Sequence, residues 1–293
     1  MRLIGLSRLL CLLVLGAFAP GCQPAPASHV ALWAISDGGA PHGWILGTIH
    51  ALPPDTPWRR PAIEAAMAGT DRLVLEIGDP VTQDSAGRAL AKLAMTPGLP
   101  PPSLRLDPAG RAALIAAYGR LGLDDARFRD EESWAVALQI SALASQRAGA
   151  DARAGVEPQL RTTMAGRPVS GLETADSQFA IFDALPASAQ NVLLASIAKE
   201  VTDARNDDAD LLAKWLKGDD AGLAREATSD FLADPVLHQA LLTNRNRAWI
   251  GRIDTLLHTG AHPFIAVGAA HVSGPDGLVV LLRARGWKLV PVT

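Results

Sequence analysis

The chain has 293 residues, of which 48% are apolar, 19% charged and 5% aromatic. This length and composition suffice for the core of one large or two small domains, and they exclude a disordered chain, a collagen and a coiled coil. The 27 basic and 30 acidic residues give a net charge of −3. The chain therefore has no excess of positive charge with which to bind nucleic acid.

The amino-terminal residues 1–21 are predicted to be a secretion signal. Arginines precede a short apolar run, residues 9–18, which is too short to span a bilayer comfortably. Cleavage after Ala19 would place a proline next to the cut, which ordinary signal peptidase tolerates poorly. The alternative, Gly21-Cys22, resembles a bacterial lipobox and favours a lipoprotein with Cys22 as the lipidated residue over a soluble secreted protein.

The mature chain is predicted to be one domain on a short tether. Residues 22–29 are rich in Pro and Ala and form the tether, and residues 30–293 form the domain. Cys11 and Cys22 are the only cysteines, so the domain has no disulfide, no thiol nucleophile and no cysteine metal site. We expect the protein to be exported and anchored by lipid to the outer membrane, facing the periplasm.

The order of predicted elements places strands at both ends of the domain and helices between them. In chain order, these are strands 30–36 and 43–49, helix 61–68, strand 72–77, helices 108–121 and 132–148, strand 169–172, helices 188–201, 208–217 and 235–257, strand 263–267, helix 277–285 and strand 287–292. This pattern predicts an α/β (α+β) fold, in which a mixed central sheet built from N- and C-terminal strands carries a large helical insertion.

One short pattern, an apolar run followed by Gly-x-x-His, occurs twice. The first copy is GTIH, with Gly47, Thr48 and His50, and the second is GAAH, with Gly268 and His271. A glycine at the end of a strand allows close approach, and a histidine just beyond it lies where α/β sheets place their ligand crevices. If both strands are central, the two histidines can meet in one site. The alternative is that each histidine is structural.

Two carboxylates occupy similar positions at the ends of predicted strands. Glu76 lies within the apolar strand 72–77, and Glu173 follows strand 169–172. A carboxylate inside an apolar run requires a partner, because burying an unpaired charge is costly. Two histidines with one or two carboxylates are typical of a divalent metal site that keeps positions open for water. Alternatively, Glu76 pairs with a core arginine.

Several further motifs make the chain resemble a known family. They are residues 44–50 (WILGTIH), residues 71–76 (DRLVLE), Ser133-Trp134, residues 155–157 (GVE), residues 171–174 (GLET) with Gln178, Arg245-Asn246 near Trp249, and residues 268–271 (GAAH) with Gly274 and Gly277. In order and spacing they resemble the TraB/GumN family, which is related to the Tiki proteases, the haem-binding ChaN proteins and the erythromycin esterases. The resemblance extends from about residue 31 to residue 292. Glu157 stands where the family usually has Asp.

Similarity to the Tiki proteases implies a metal-dependent hydrolase, most concretely a peptidase, with Mn²⁺ or Co²⁺ as the ion. The hypothesis places the cation on His50, Glu76 and His271, while Glu173 is the general base or orients the attacking water. Arg245 would stabilise the developing oxyanion and Asn246 would position the substrate. The alternative for both is hydrogen bonding between helices.

The same resemblance predicts supporting residues and leaves other functions open. Thr48 is expected to hydrogen-bond a ligand carboxylate, and Gly47, Gly268 and Gln178 complete the set of predicted site residues. A second hypothesis is an envelope protein of the ChaN type that binds haem or iron through a histidine. A third is a scaffold without catalytic activity. The expected partners are a peptide or small-molecule substrate and a membrane, with no nucleic acid.

Overall fold

The computed structural model describes residues 28–80, 87, 88, 90, 92–203 and 207–292. The predicted secretion signal, Cys22 and most of the tether therefore lie outside the described residues. Within the described part, no single helix is long and apolar enough to cross a membrane. Two consecutive helices, Ala175–Asp183 and Ala187–Thr202, are long and apolar enough only when taken together, and they are bent by 104° relative to each other.

A six-stranded mixed sheet forms the centre of the fold. Its strands are β1 (Leu32–Ser36), β2 (Gly43–Thr48), β3 (Arg72–Ile77), β4 (Val169–Glu173), β5 (Pro263–Gly268) and β6 (Lys288–Pro291), and their order across the sheet is β4-β3-β5-β2-β1-β6. The four strands β4, β3, β5 and β2 are parallel to one another, whereas β1 is antiparallel to both β2 and β6. The predicted α/β sheet built from N- and C-terminal strands is confirmed.

Helices cover both faces of this sheet, and a further group of helices packs together away from the sheet. In chain order they are α1 (Pro61–Ala68), α2 (Pro108–Leu121), α3 (Ser133–Arg147), α4 (Val156–Thr163), α5 (Ala175–Asp183), α6 (Ala187–Thr202), α7 (Asp207–Lys217), α8 (Asp220–Glu226), α9 (Pro235–His238), α10 (Asn244–His258), α11 (Ala269–Val272) and α12 (Leu278–Ala284). Short 3₁₀ helices occupy Pro102–Arg105, Asp125–Phe128, Ala152–Ala154 and Asp230–Ala233. The sequence had not predicted α4, α5, α8 or α11.

The buried side chains separate into three clusters that follow this arrangement. One sheet face packs Leu46, Leu73 and Phe264 against α1, α4 and α7, and the other packs Ile45 and Ile265 against α10 and α12. Successive side chains of a strand point to opposite faces of the sheet, and helices cover both faces. Most positions of the central strands β2, β3 and β5 are therefore buried, which explains their continuous apolar sequences. The third cluster joins α2, α3 and α6, and it forms the core of the predicted helical insertion.

One wide helical turn separates α9 from α10. Residues Gln239–Thr243 form a π-helix, so the segment predicted as one helix over residues 235–257 contains a register change. A π-turn inserts one residue into the α-helical repeat and rotates the residues that follow it. Arg245 and Asn246 lie immediately after this turn, and both are buried.

Candidate functional site

Four parallel strands direct their carboxyl ends to one edge of the sheet. Thr48 ends β2, Gly268 ends β5, Glu173 ends β4, and Glu76 is the penultimate residue of β3. In open parallel sheets this edge is where ligands bind. The strand order therefore brings together residues that lie as far as 220 positions apart in the chain.

Gly268 marks the point at which the three predicted metal ligands converge. A Cβ placed on Gly268 would lie 3.0 Å from Glu76 Oε1, 3.4 Å from His50 Nε2 and 3.7 Å from His271 Cδ2. The backbone N–H of Gly268 also donates to Glu76 Oε1 over 2.6 Å. The absence of a side chain at this position is what allows the carboxylate and both imidazoles to approach one another.

Arg245 joins the acidic residues to His271. Its Nη2 donates to Glu76 Oε2 over 2.8 Å, and its Nε and Nη2 both donate to Glu173. Its Nη1 lies 2.9 Å from His271 Nε2, and its guanidinium stacks over Trp249 with Cζ 4.7 Å from the ring centroid. We call Arg245, Glu76, Glu173 and His271 the arginine cluster. Glu76 thus has the arginine partner that was the alternative to a metal site.

The hydrogen bonds of His271 define which ring nitrogen carries its proton. Nη1 of Arg245 is always a donor, so His271 Nε2 must accept and must be unprotonated. His271 Nδ1 then donates to Asn246 Oδ1 over 2.8 Å. The Asn246 amide donates in turn to the carbonyls of His271 and Asp276. Asn246 is only 1% exposed, so its polar atoms face this network and not solvent.

His50 is held by a residue that the sequence left without a role. Its Nδ1 lies 2.8 Å from Glu157 Oε1, and Thr48 Oγ1 donates to the same oxygen. Glu157 lies in the first turn of α4. Its side chain therefore orients His50 while Nε2 faces Gly268. The signal that could have found it is the motif at residues 155–157, where Glu replaces the usual Asp but keeps the charge.

The surroundings of the two histidines shift their pKa values in opposite directions. The side chain of His50 retains 66% of its accessible surface. Loss of solvation beside the protein would lower its pKa, but the hydrogen bond and charge of Glu157 raise it to about 9. Burial and the nearby charge of Arg245 lower the pKa of His271 to about 3. Burial alone would raise the pKa of Glu76, but the surrounding histidines and Arg245 lower it to about 2. Burial raises the pKa of Glu173 against the opposing effect of Arg245.

These shifts predict a stability maximum near pH 6.5. Folded His50 keeps its proton up to about pH 9, whereas an unfolded histidine loses it near 6.5, so stability falls as the pH rises through this window. Folded His271 stays neutral down to about pH 3, so stability also falls below pH 6.5, and Glu76 adds to that loss below pH 4.5. Melting temperatures measured in EDTA from pH 3 to 10 test this. Glu157→Gln should flatten the alkaline side; because His50 and Thr48 hold the pKa of Glu157 below its usual value against the effect of burial, it should also weaken the acid-side loss below pH 4.5. An unchanged alkaline slope would contradict the assignment.

Gly155 allows α4 to approach the loop that carries His50. A Cβ on Gly155 would lie 2.0 Å from the His50 carbonyl oxygen, a backbone atom that cannot rotate away. We expect Gly155→Ala to reduce the free energy of unfolding by about 2–3 kcal/mol. Gly119→Ala is the control, because Gly119 lies on an exposed part of α2 with no atom within 4 Å of the new Cβ. It should leave stability unchanged or raise it by up to about 1 kcal/mol in urea unfolding.

A cleft of about 1090 Å³ opens beside the arginine cluster. Glu173, Arg245 and Trp249 line it on the side of the cluster. The remaining walls are formed by all of β4, by one side of α5, by the π-turn and the adjacent part of α10, and by Gly78 and Asp79 after β3. Arg245 therefore faces the cleft while it also contacts Glu76 and His271.

The donor set of the site is suited to a divalent cation. In the residues that the structure describes, no group of three His, Cys, Asp or Glu side chains is arranged to hold a metal ion. The chemistry nevertheless fits, because a carboxylate oxygen of Glu76, Nε2 of His50 and the ring of His271 lie close to Gly268, and each histidine is held at Nδ1 by a side-chain oxygen. A cation bound to His271 would have to replace its hydrogen bond with Arg245.

The remaining predicted residues have different surroundings. Gly47 lets β2 approach α11, since a Cβ there would lie 3.0 Å from Ala269 Cα. The carbonyl of Gly47 also accepts a hydrogen bond from Trp215. Gln178 is half-buried on α5, and no hydrogen bond among the described residues connects its side chain to the arginine cluster or to His50. The structure thus brings together all predicted metal and catalytic residues but not Gln178.

Comparison with known proteins gives the family. The family model of the TraB/PrgY/gumN family matches residues 31–291, nearly the whole chain. The chain belongs to the TraB/PrgY/gumN family. The match spans every strand of the sheet, and it includes all residues of the site described above, as the resemblance in the sequence predicted. Neither the curated proteins nor the solved structures contain a match to the chain.

Proposed function

We propose that this TraB/PrgY/gumN protein is a metal-dependent hydrolase of the bacterial cell envelope and that its substrates are peptides. The observation that carries the proposal is the convergence of His50, Glu76 and His271 on Gly268, at the carboxyl edge of a parallel sheet. Arg245 connects this point to a cleft large enough for a substrate. These groups come from segments that are far apart in the sequence, which is typical of a catalytic site.

His50, Glu76 and His271 would hold the cation, with Mn²⁺ or Co²⁺ expected from the resemblance to the Tiki proteases. Such an ion lowers the pKa of a bound water and polarises a carbonyl group. Glu157 would fix the ring of His50, and Asn246 would fix the ring of His271, so that both Nε2 atoms keep their direction. This assigns Asn246 a positioning role in place of the substrate contact expected from the sequence.

Arg245 would stabilise negative charge that develops on the substrate oxygen, because its guanidinium lines the cleft. Glu173 accepts hydrogen bonds from both Arg245 and Trp249, which engages both carboxylate oxygens. We therefore propose that Glu173 orients the guanidinium. The alternative from the sequence, that Glu173 takes a proton from water, would require it to release Arg245.

The haem-binding alternative receives less support from the cleft. Among the described residues that line it, there is no His, Cys, Met or Tyr to serve as an axial ligand. The lipid anchor on Cys22 remains a proposal. It predicts that the full-length protein fractionates with membranes and that Cys22→Ala releases it as a soluble periplasmic protein.

Metal content and peptide cleavage together test the proposal. Residues 28–293 are purified without chelator, incubated with Mn²⁺, Co²⁺ or Zn²⁺, and analysed for bound metal by mass spectrometry. We expect about one ion per wild-type chain and none in a folded His50→Ala/His271→Ala variant. Only the metal-loaded wild type should cleave a peptide library. Equal metal content in both proteins, or cleavage by both, would contradict the proposal.

A further inference from the structure

We propose that the substrate binds as an extended polypeptide that adds a strand to β4, with its backbone hydrogen-bonded to Val169 and Gly171. The catalytic fate of this peptide rests on the proposed function, but its binding does not. The inference is carried by the position of β4 in the sheet, by the direction of its backbone groups and by the cleft that lies along it.

β4 is an edge strand without a charged residue or proline in its first four positions, and the backbone of Gly78, which follows β3, packs against Gly171. It lies at one end of the strand order and pairs only with β3. Val169 and Ser170 are exposed, and Val169 retains 39% of its accessible surface. Natural edge strands are commonly blocked by charged residues or by proline. From Val169 to Leu172 the strand has neither.

The ladder between β3 and β4 shows which backbone groups face away from the sheet. The amide of Leu73 donates to the carbonyl of Pro168, and the two strands are parallel with Leu73 opposite Val169. Because alternate residues of a parallel strand bond to a given neighbour, the N–H and C=O groups of Val169 and Gly171 face the open edge. Among the described residues, no hydrogen bond outside the ladder involves these groups.

The cleft provides the space that an added strand needs. All five residues of β4 line it, and the opposite walls carry apolar side chains from α5 and α9, among them Ile181 and Val236. β4 ends at Glu173, which holds Arg245. A peptide paired with β4 would therefore extend over about 13 Å, at about 3.3 Å per residue, toward the arginine cluster.

The backbone groups determine the class of ligand. Two outward N–H groups and two outward C=O groups, spaced two residues apart, match the donors and acceptors of another polypeptide backbone. An acyl chain or a macrocycle in the same cleft would cover these groups without pairing them, which costs free energy. Peptide strands with apolar side chains at alternate positions fit both the edge and the walls of the cleft.

Binding is tested in a protein that does not cleave the ligand. Peptides are selected from a randomised decapeptide library on the full domain with His50→Ala, which removes a catalytic residue that does not line the cleft. Affinities are then measured for Val169→Pro, which removes one outward N–H at the first residue of an edge strand, where proline is tolerated. Val169→Thr is the matched control, because it keeps both the N–H group and the branched shape.

We expect selected peptides to bind Val169→Pro at least tenfold more weakly and Val169→Thr within twofold of the parent. Addition of peptide should also slow hydrogen exchange at the amides of Val169 and Gly171. Peptides methylated at alternate backbone nitrogens give an independent measurement if Val169→Pro does not fold, because one of the two methylation registers should abolish binding. Failure to select any binding peptide, equal affinity in the two variants, or indifference to both methylation registers would overturn the inference.

The two proposals fail in different ways. If selected peptides protect β4 but wild-type protein loaded with metal leaves them intact, the hydrolase proposal is wrong and the strand-binding inference holds. If metal-loaded protein that keeps His50 cleaves peptides, and Val169→Pro in that protein leaves kcat/KM equal to that of Val169→Thr, the hydrolase proposal holds and the inference is wrong.

Discussion

Arg245→Met is expected to reduce the free energy of unfolding by about 3–5 kcal/mol when measured in EDTA. The guanidinium forms ion pairs with both Glu76 and Glu173, and all three side chains are buried or nearly so. Without it, two carboxylates would remain at low exposure with like charges close together. The fold would then have to protonate one of them or admit water. EDTA is required because a bound cation could replace the missing positive charge.

Three comparisons isolate this electrostatic effect in urea unfolding. Arg247→Met removes an exposed arginine two positions along the same helix, and it should change stability by less than about 0.5 kcal/mol. Arg245→Lys keeps the charge but loses the planar fork, so an intermediate loss is expected. The triple variant Arg245→Met/Glu76→Gln/Glu173→Gln should recover much of the loss, because it leaves no buried charge unpaired. A triple variant less stable than Arg245→Met would contradict this account.

Under the proposed hydrolase function, Glu76→Gln is expected to reduce kcat/KM for a peptide substrate at least 100-fold while the fold persists. The amide has the same shape as the carboxylate, but its single oxygen can accept from only one of the two donors, the Gly268 amide or Arg245, and its NH2 group faces the other. The negative charge is also lost at the point where both histidines converge. Bound metal should fall in parallel. Activity is measured with the peptide that wild-type protein cleaves fastest.

Glu64→Gln is the matched control for this substitution. Glu64 is an exposed acid on α1 that pairs with Arg59, and it lies outside the site. It should leave both kcat/KM and metal content unchanged. If Glu76→Gln retains wild-type activity, Glu76 serves only as a structural partner of Arg245, which was the alternative left open by the sequence.

Local patterns predicted the elements well, because their signals are short-range. Helix α1 and strand β3 begin and end where Pro61 and the apolar run 72–77 predicted. Helix α2 also has its predicted bounds, 108–121, because Asp107 caps it through the amide of Gly110 and Pro108 is in the first turn. Helices such as α4 and α5 were missed because α4 contains Pro158 and α5 has no fully buried residue to create an apolar period.

The arrangement of the site was predicted only in part, because it depends on strand order and on helix rotation. The Gly-x-x-His pattern indicated that His50 and His271 could meet, and the parallel pairing of β2 with β5 brings their loops together. Which group would hold each imidazole could not be read from the chain. Glu157 is 107 positions from His50, and the amide of Asn246 is directed inward only by the packing of α10.

The π-turn between α9 and α10 makes the orientation of α10 depend on the number of residues before it. In an α-helix each residue advances the rotation by about 100°. If one residue were deleted from Gln239–Thr243, a regular helix would result, but the whole of α10 would be turned by roughly that angle relative to α9. Arg245 would then leave the acids of the arginine cluster, although no residue of that cluster had been altered. In this chain, an insertion or deletion in this turn should therefore disrupt the arginine cluster as effectively as a substitution within the cluster itself.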